Sequence, residues 1–295
     1  QPLTLSNAVP LLGLDTCKLF LERSVLSCFV PAGCKLLEPV EAVKLVSGTL
    51  DKDTEVFANV SLWPVDTDVL VAIDFDQSGD VEEQFQPVTH LGEDSRALLA
   101  AVSRQPAAKR VLDVHCGSGA HGIACLKRNA EKVVFMDTSS RSLRFAEFSA
   151  ILNGVEDKST FVEGSICDAV LPEGAEGTFE AILAGLPFLP NPEGLLQRVP
   201  KEGGSDGQQF LEALFTKCAK LLAPKGTLTA TSIVRDAEGL AQRAESWADA
   251  GKPSGLQITV FRTEALSLDR FVGAATVGCS YAQQVAYYRD LQRRA

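Results

Sequence analysis

No two of the eight cysteines stand in a C-x-x-C pair, and the only adjacent His-Cys is His115-Cys116. A structural zinc site needs paired ligand spacing, so zinc and other metal ligation are not expected. Several cysteines sit in apolar contexts such as "GIACL" and "FTKCAKLL". They read as small buried hydrophobes in a reducing compartment. Bases are fewer than acids, 28 against 38, for a net charge of −10. An acidic surface repels phosphate backbones, which disfavours bulk nucleic-acid binding. The arginines at 289, 293 and 294 read as a solvated helix end rather than a nucleic-acid site. No apolar run reaches transmembrane length, and neither a repeat nor a low-complexity tract is present. No signal peptide is visible, and the sequence opens on Gln1 without a methionine. An intracellular location is expected, in the cytoplasm or in an organelle after removal of a targeting peptide.

What is present is a chain of 295 residues, 45% hydrophobic and 22% charged, enough for a sizeable core without disulfides. Residues 1–50 hold short apolar stretches, "CKLFLERSVLSCFV" and "PVEAVKLVSGTL", whose spacing is mostly helical, with Gly33 and Gly48 as stops. "TEVFANVSL" and "DVLVAIDF" predict two strands joined by a turn at "WPVDT". Residues 1–75 are thus expected to be a small helical and hairpin domain, and 76–94 an exposed connector.

From residue 95 to 295 the rhythm is strand, turn, helix. A helix "EDSRALLAAVSR" with Asp94 or Ser95 as cap leads into strands starting near 110, 132, 160 and 179. Further strands are expected at "GTLTATSIV" and "LQITVFRTE". Continuous apolar strands between helices predict an α/β class, doubly wound around a parallel Rossmann-like sheet, with a small N-terminal α+β domain in front.

"RVLDVHCGSGAHG", residues 110–122, is a strand that ends in an acid and runs straight into glycines. Gly117 and Gly119 let a ligand approach the backbone, and the next helix offers free N–H groups. "GSGAHG" formally matches the dinucleotide pattern G-x-G-x-x-G, a weak signal alone. Acids carry more information. Asp113 stands before the glycines, Asp137 ends "VVFMD" beside Thr138, and Asp168 follows "FVEGS" with its Ser165. An acid before the glycines opposes pyrophosphate but suits a sulfonium and an ammonium. An acid at the next strand end can accept from two ribose hydroxyls, and a third from an adenine amino group. The expected cofactor is S-adenosyl-L-methionine. Taken singly, Asp113 and Asp168 could each be only turn residues.

Residues 95–235 resemble a class I S-adenosylmethionine-dependent methyltransferase of the small-domain branch. The likeness rests on "RVLDVHCGSGAHGIACL", on "DTSSRSLRFAEFSAILNG" and on "FEAILAGLPFLPNPEG". It implies the cofactor residues Asp113, His115, Gly117, Gly119, Asp137, Thr138, Ser165 and Asp168. Family members with a small N-terminal domain modify glutamine or purine and pyrimidine nitrogens. Two positions depart from the pattern. His115 replaces a usual glycine and is either a polar group near the cofactor or a ring packed at the strand end. The family's Asn-Pro-Pro-Phe is Gly185-Leu186-Pro187-Phe188 here, so the asparagine that would position a planar amine is missing. Phe188 either stacks on a substrate or fills the core. His121 is expected to face solvent, and Asp206 to cap the next helix; His115, Asp206 and Glu193 are the nearest candidate bases.

Three functions compete. One is a methyltransferase acting on a small-molecule or protein substrate that is not the usual planar amide. Another is a catalytically inactive methyltransferase-fold subunit with a structural or regulatory role in a larger assembly. The weakest is a nicotinamide-dependent oxidoreductase, which lacks a Tyr-x-x-x-Lys or comparable set.

Overall fold

The structure, a computed structural model, describes residues 3–23, 25–48, 53–74, 88, 91–103, 108–166, 175–191, 203–234, 236–250, 255–261, 267–276 and 280–293. Contacts divide the chain into two units, Gln1–Pro64 with Leu70–His90, and Val65–Val69 with Leu91–Ala295.

The first unit opens with β1 (Leu3–Thr4), α1 (Leu5–Leu12), α2 (Leu14–Glu22), β2 (Leu26–Val30), β3 (Lys35–Leu36), α3 (Pro39–Ser47) and β4 (Glu55–Ala58). The strands form an antiparallel sheet in the order β1-β4-β2-β3. Gly13, at φ +85°, ends α1, because an L side chain there would be strained. Pro39 at the first position of α3 and the reciprocal Glu38–Glu41 capping box start the third helix cleanly. Leu5, Ala8, Cys17, Leu21, Cys28, Ala42, Val46 and Val56 make the core.

Three expectations fail in this region, the first being that "TEVFANVSL" is not one strand: it breaks at Asn59 between β4 and a strand over Val60–Asp66 that lies in a different sheet. "SVLSCFV" is not helical; its last five residues are β2, where Cys28 is buried against β4. "WPVDT" is not the turn either. Trp63 and Pro64 lie inside β5 (Val60–Asp66), which pairs with β6 (Val69–Asp74) around Thr67-Asp68. A strand with one neighbour leaves one row of N–H groups unused, so it tolerates proline.

The second unit is the doubly wound body. Its elements are α4 (Glu93–Ser103), β7 (Arg110–Val114), α5 (Ala120–Lys127), β8 (Lys132–Asp137), α6 (Ser140–Leu152), β9 (Ser159–Glu163) and β10 (Phe179–Gly185). There follow α7 (Gln209–Ala213), which continues helically to Leu221, then β11 (Leu222–Thr231), α8 (Leu240–Asp249), α9 (Leu268–Ala275) and α10 (Tyr281–Arg293). The sheet is parallel throughout, in the order β11-β10-β7-β8-β9. Strand order reverses beside β7, so the ligand crevice of such a fold lies at the carboxyl ends of β7 and β10.

Alternation along the strands explains the two covering layers. Leu112, Val114, Met136, Ile182 and Ala184 point to one face and share a core with Leu211, Leu214 and Cys218 of the α7 region. Asp113, Phe135, Asp137 and Gly185 alternate onto the other face. There α4 packs on β10 and β11, α5 on β7 and β8, and α6 on β8 and β9.

Asp94 and Ser95 lie inside α4, which begins one residue earlier at Glu93, so neither is its cap. Residues 256–261 carry no strand. Among the described residues their apolar run has no sheet neighbour, and Phe261 is 84% exposed. Among the described residues no helix is long and apolar enough to cross a membrane. Cys17, Cys28, Cys116, Cys125 and Cys218 are buried thiols, while Cys34 is exposed.

Candidate active site

The turn after β7 is built by close approach. Gly119, at φ +80°, lies where a Cβ would come within 3.1 Å of Ala146 on α6 and 3.3 Å of Phe135 on β8. A Cβ at Gly122 would collide with the Phe135 ring and reach within 2.8 Å of Val133. These two glycines therefore serve packing of turn and helix on the sheet. Gly117 differs: at φ +54° a Cβ there would meet nothing within 4 Å. Its open side is the free face of the turn.

His115 sits at φ +53°, in the left-handed region that favours glycine. A side chain there costs roughly 1–2 kcal/mol. Its ring meets Phe210 of α7 edge-on at 5.0 Å, and its Nε2 has no hydrogen-bond partner among the described residues. Burial pushes its pKa down, opposed by the charge of Asp137, so the ring is held toward its neutral form.

Asp137 is 7% exposed at the end of β8. Its Oδ2 accepts from the Gly117 N–H at 2.9 Å and its Oδ1 from the Ser139 N–H at 2.9 Å. One carboxylate thus ties the open glycine to the start of α6, and each oxygen keeps a further lone pair. Thr138 is exposed and Ser165 is half-buried past the end of β9. Asp168 and Glu193 lie outside the described residues.

Asp113 is fully buried. Its Oδ2 accepts from the Gly122 N–H at 2.8 Å, and its Oδ1 has no hydrogen-bond partner among the described residues. Burial pushes its carboxyl up to about 8; the Gly122 hydrogen bond opposes the rise and the negative Asp137 adds to it.

His121 does not face solvent. It is 4% exposed, with Nε2 3.2 Å from the Ser95 carbonyl and Nδ1 3.9 Å from Asp113 Oδ1. The surrounding helix explains this: Ala120, Gly122, Ile123, Cys125 and Leu126 are buried too, so the start of α5 has little solvent face. A Cβ added at Gly185 would stand 3.6 Å from His121 Cε1 and 4.0 Å from the His115 carbonyl. The ends of β7, α5 and β10 therefore meet at these residues.

Of the next motif, Leu186 turns into the core and is 1% exposed. Phe188 is 7% exposed, and its backbone runs under Gly203 and Gly207 so closely that a Cβ at either would clash. Pro187 is half-buried. Asp206 is exposed and is not the cap of α7: its Oδ1 accepts at 2.9 Å from the N–H of Gln208, which holds the cap position, in a turn just ahead of the helix.

Comparison with known proteins bears on this site. A family model described as "Methyltransferase small domain" matches residues 88–237, half of the chain. A protein of Methanocaldococcus jannaschii, provisionally named a protein N5-glutamine methyltransferase, is 29% identical over 126 residues, 41% of this chain and 59% of that one. The release factor glutamine methyltransferase of Bradyrhizobium diazoefficiens is 30% identical over 152 residues, 46% of each chain. The ribosomal protein arginine N-methyltransferase of Schizosaccharomyces pombe is 43% identical over 68 residues, 23% of this chain and 12% of that one. The matched stretches thus span less than two thirds of the length of each relative.

Proposed function

We propose, from the premise that this chain belongs to the methyltransferase small domain family, that it transfers a methyl group from S-adenosylmethionine to a protein side chain. The catalytic unit is taken to begin near residue 95, after a connector at 76–94. The observation that carries this reading is the turn at Gly117. Its free side is open, and the carboxylate of Asp137 is fixed beside it with acceptor capacity left over. Asp137 would accept from the donor's ribose hydroxyls, with Thr138, Ser165 and Asp168 completing the nucleoside side. Gly117 and Gly119 would admit the donor's backbone-facing edge. Asp113 would set the charge under its amino-acid end, and His115 would wall the seat on the α7 side. When bound, the cofactor supplies a methyl group on a positively charged sulfur, an electrophile that needs an aligned nucleophile rather than further activation.

The protein-substrate class is supported by the names of these three relatives, two for glutamine and one for arginine methylation of a protein. The nucleophile is held by something other than residue 185, which has no side chain. Calorimetry with S-adenosylmethionine and S-adenosylhomocysteine tests the seat, with nicotinamide dinucleotide as the control. Radiolabelled transfer to protein acceptors tests the activity. Gly185 favours a second reading, a subunit that binds the cofactor without transferring its methyl group. Tight binding with no labelled acceptor among proteins of the same cell would select it. Absence of binding would remove both.

A further inference from the structure

We propose that His121 is a positioning residue of the donor seat, and that its imidazole and the Asp113 carboxyl together carry one proton. The inference deepens the reading above and rests on it for its ligand. The Ser95 carbonyl beside Nε2 can only accept, so Nε2 carries a hydrogen. Neutral imidazole then turns a lone pair at Nδ1 toward Asp113, whose Oδ1 lies 3.9 Å away, fully buried and without a hydrogen-bond partner among the described residues. An ionised carboxylate there would face a second acceptor. A single proton removes the conflict, either as carboxylic acid and imidazole or as carboxylate and imidazolium. Both arrangements leave the pair neutral.

Among the described residues, the groups around the pair favour that neutral state. From β8 comes Asp137, a second negative charge; from the turn come His115, held toward its neutral form, and Cys116; from α5 comes Cys125. Burial raises both thiols, so neither supplies charge at neutral pH. α4 presents the Ser95 carbonyl, and β10 presents Gly185. No Lys or Arg ion pair to Asp113 occurs among the described residues.

Two consequences follow. In the free protein the native pair keeps one proton, which the unfolded chain also holds, on the imidazole, below the ordinary histidine value and has lost above it. The stability the pair contributes therefore falls as pH rises from about 6.5, the ordinary imidazole value, through about 8. In the complex, loss of the proton places a full negative charge below the donor. S-adenosylmethionine carries a sulfonium and S-adenosylhomocysteine does not. Preference for the donor over its product therefore grows with pH, by at most about tenfold per pH unit for one linked proton.

The experiment has one arm without ligand and one with it. Thermal unfolding is followed from about pH 5 to about pH 9 for the parent and for Asp113→Asn. The amide accepts from Gly122 and donates toward Nδ1, as the protonated acid does. The parent should lose melting temperature across this range, and the variant should not. Should the variant fail to fold, the His121 ring nitrogens of the parent, followed by nitrogen NMR, carry the arm: Nδ1 must shift with pH. The second arm measures both ligands by calorimetry in buffers of different ionisation heat. The parent should release a fraction of a proton on binding S-adenosylmethionine, and Asp113→Asn should release none. A flat stability profile in the parent, or a Nδ1 that does not respond to pH, overturns the shared proton. A titrating pair with no heat from either ligand leaves the pair standing and refutes the donor seat instead.

Discussion

Removing the carboxylate of Asp137 isolates the residue on which the seat most depends. In Asp137→Ala two backbone donors, the N–H groups of Gly117 and Ser139, lose acceptors that lie at 2.9 Å. A hydrogen bond to a charged group is worth roughly 1.5–3 kcal/mol net. Water reaches the exposed side of the turn and recovers part of this, so a loss of about 2–4 kcal/mol is expected for the two together. For a unit of this size that lowers the melting temperature by roughly 5–15 °C. The same change frees the Gly117 peptide and removes the ribose acceptor, so affinity for S-adenosylmethionine should fall by at least about tenfold. Thr138→Ala, at the exposed neighbouring position, is the control and should leave stability nearly unchanged. Chemical denaturation gives the first quantity and calorimetry the second. If the alanine variant loses stability but binds as the parent does, Asp137 is a turn clamp and not a ligand residue. If neither changes, the hydrogen-bond geometry described for the turn is wrong.

Gly122→Ala should destabilise by about 1–3 kcal/mol, because the new methyl collides with Phe135 and crowds Val133; an unchanged denaturation midpoint would show that α5 is not pressed on β8. Gly117→Ala meets no neighbour and costs only the left-handed backbone penalty of roughly 1 kcal/mol. Its loss of cofactor affinity should exceed that, and equal losses in both assays would deny that the open side admits a ligand. On the acceptor side, the parent should show little or no methyl transfer to glutamine in Gly-Gly-Gln peptides. Losing one group that positions a reacting atom costs on the order of 10²–10³ in rate, by analogy with oxyanion donors. Robust turnover by the parent would sink this, whereas turnover only in Gly185→Asn with Leu186→Pro would locate the defect at the end of β10.

The three central strands of the sheet were legible because they are largely buried on both faces. Arg110–Val114, Lys132–Asp137 and Phe179–Gly185 are near-continuous apolar runs, each bounded by polar or glycine positions. Such runs need no partner strand to be recognised. "LQITVFRTE" has the same local character, yet over 256–261 no strand forms. β-propensity describes fit to a sheet, and among the described residues those have no neighbouring strand to fit. Pro64 misled for the opposite reason. It marks a turn in isolation, but the single-sided β5 accepts it and sends the turn on to Thr67-Asp68. Within the site, the ends of β7 and β8 were readable as an acid followed by small residues. The orientation of Asp113 was not, because nothing local says that a carboxylate will turn toward a helix N–H and an imidazole.

His121 is the residue whose position most changes the picture of the site, and its signal lay in the spacing of its neighbours. Ile123, Cys125 and Leu126 occupy more of α5 than one stripe can hold, so a polar residue among them must be enclosed and find polar company. It finds the Ser95 carbonyl on one side and Asp113 on the other. The glycine at 185 belongs to the same arrangement. A Cβ there would already touch the imidazole at 3.6 Å, so any longer side chain must turn away from His121 to reach the crevice. Where the resembling family carries a side chain on β10, this chain places backbone beside a ring from α5. At position 115 the exchange runs the other way, with a ring in a backbone conformation made for glycine. The polar side chains at the mouth of β7 and β10 described here thus come from the turn and α5, and residue 185 contributes none. Variants of His115, His121 and Gly185 should consequently be non-additive, as expected of residues that share one small space.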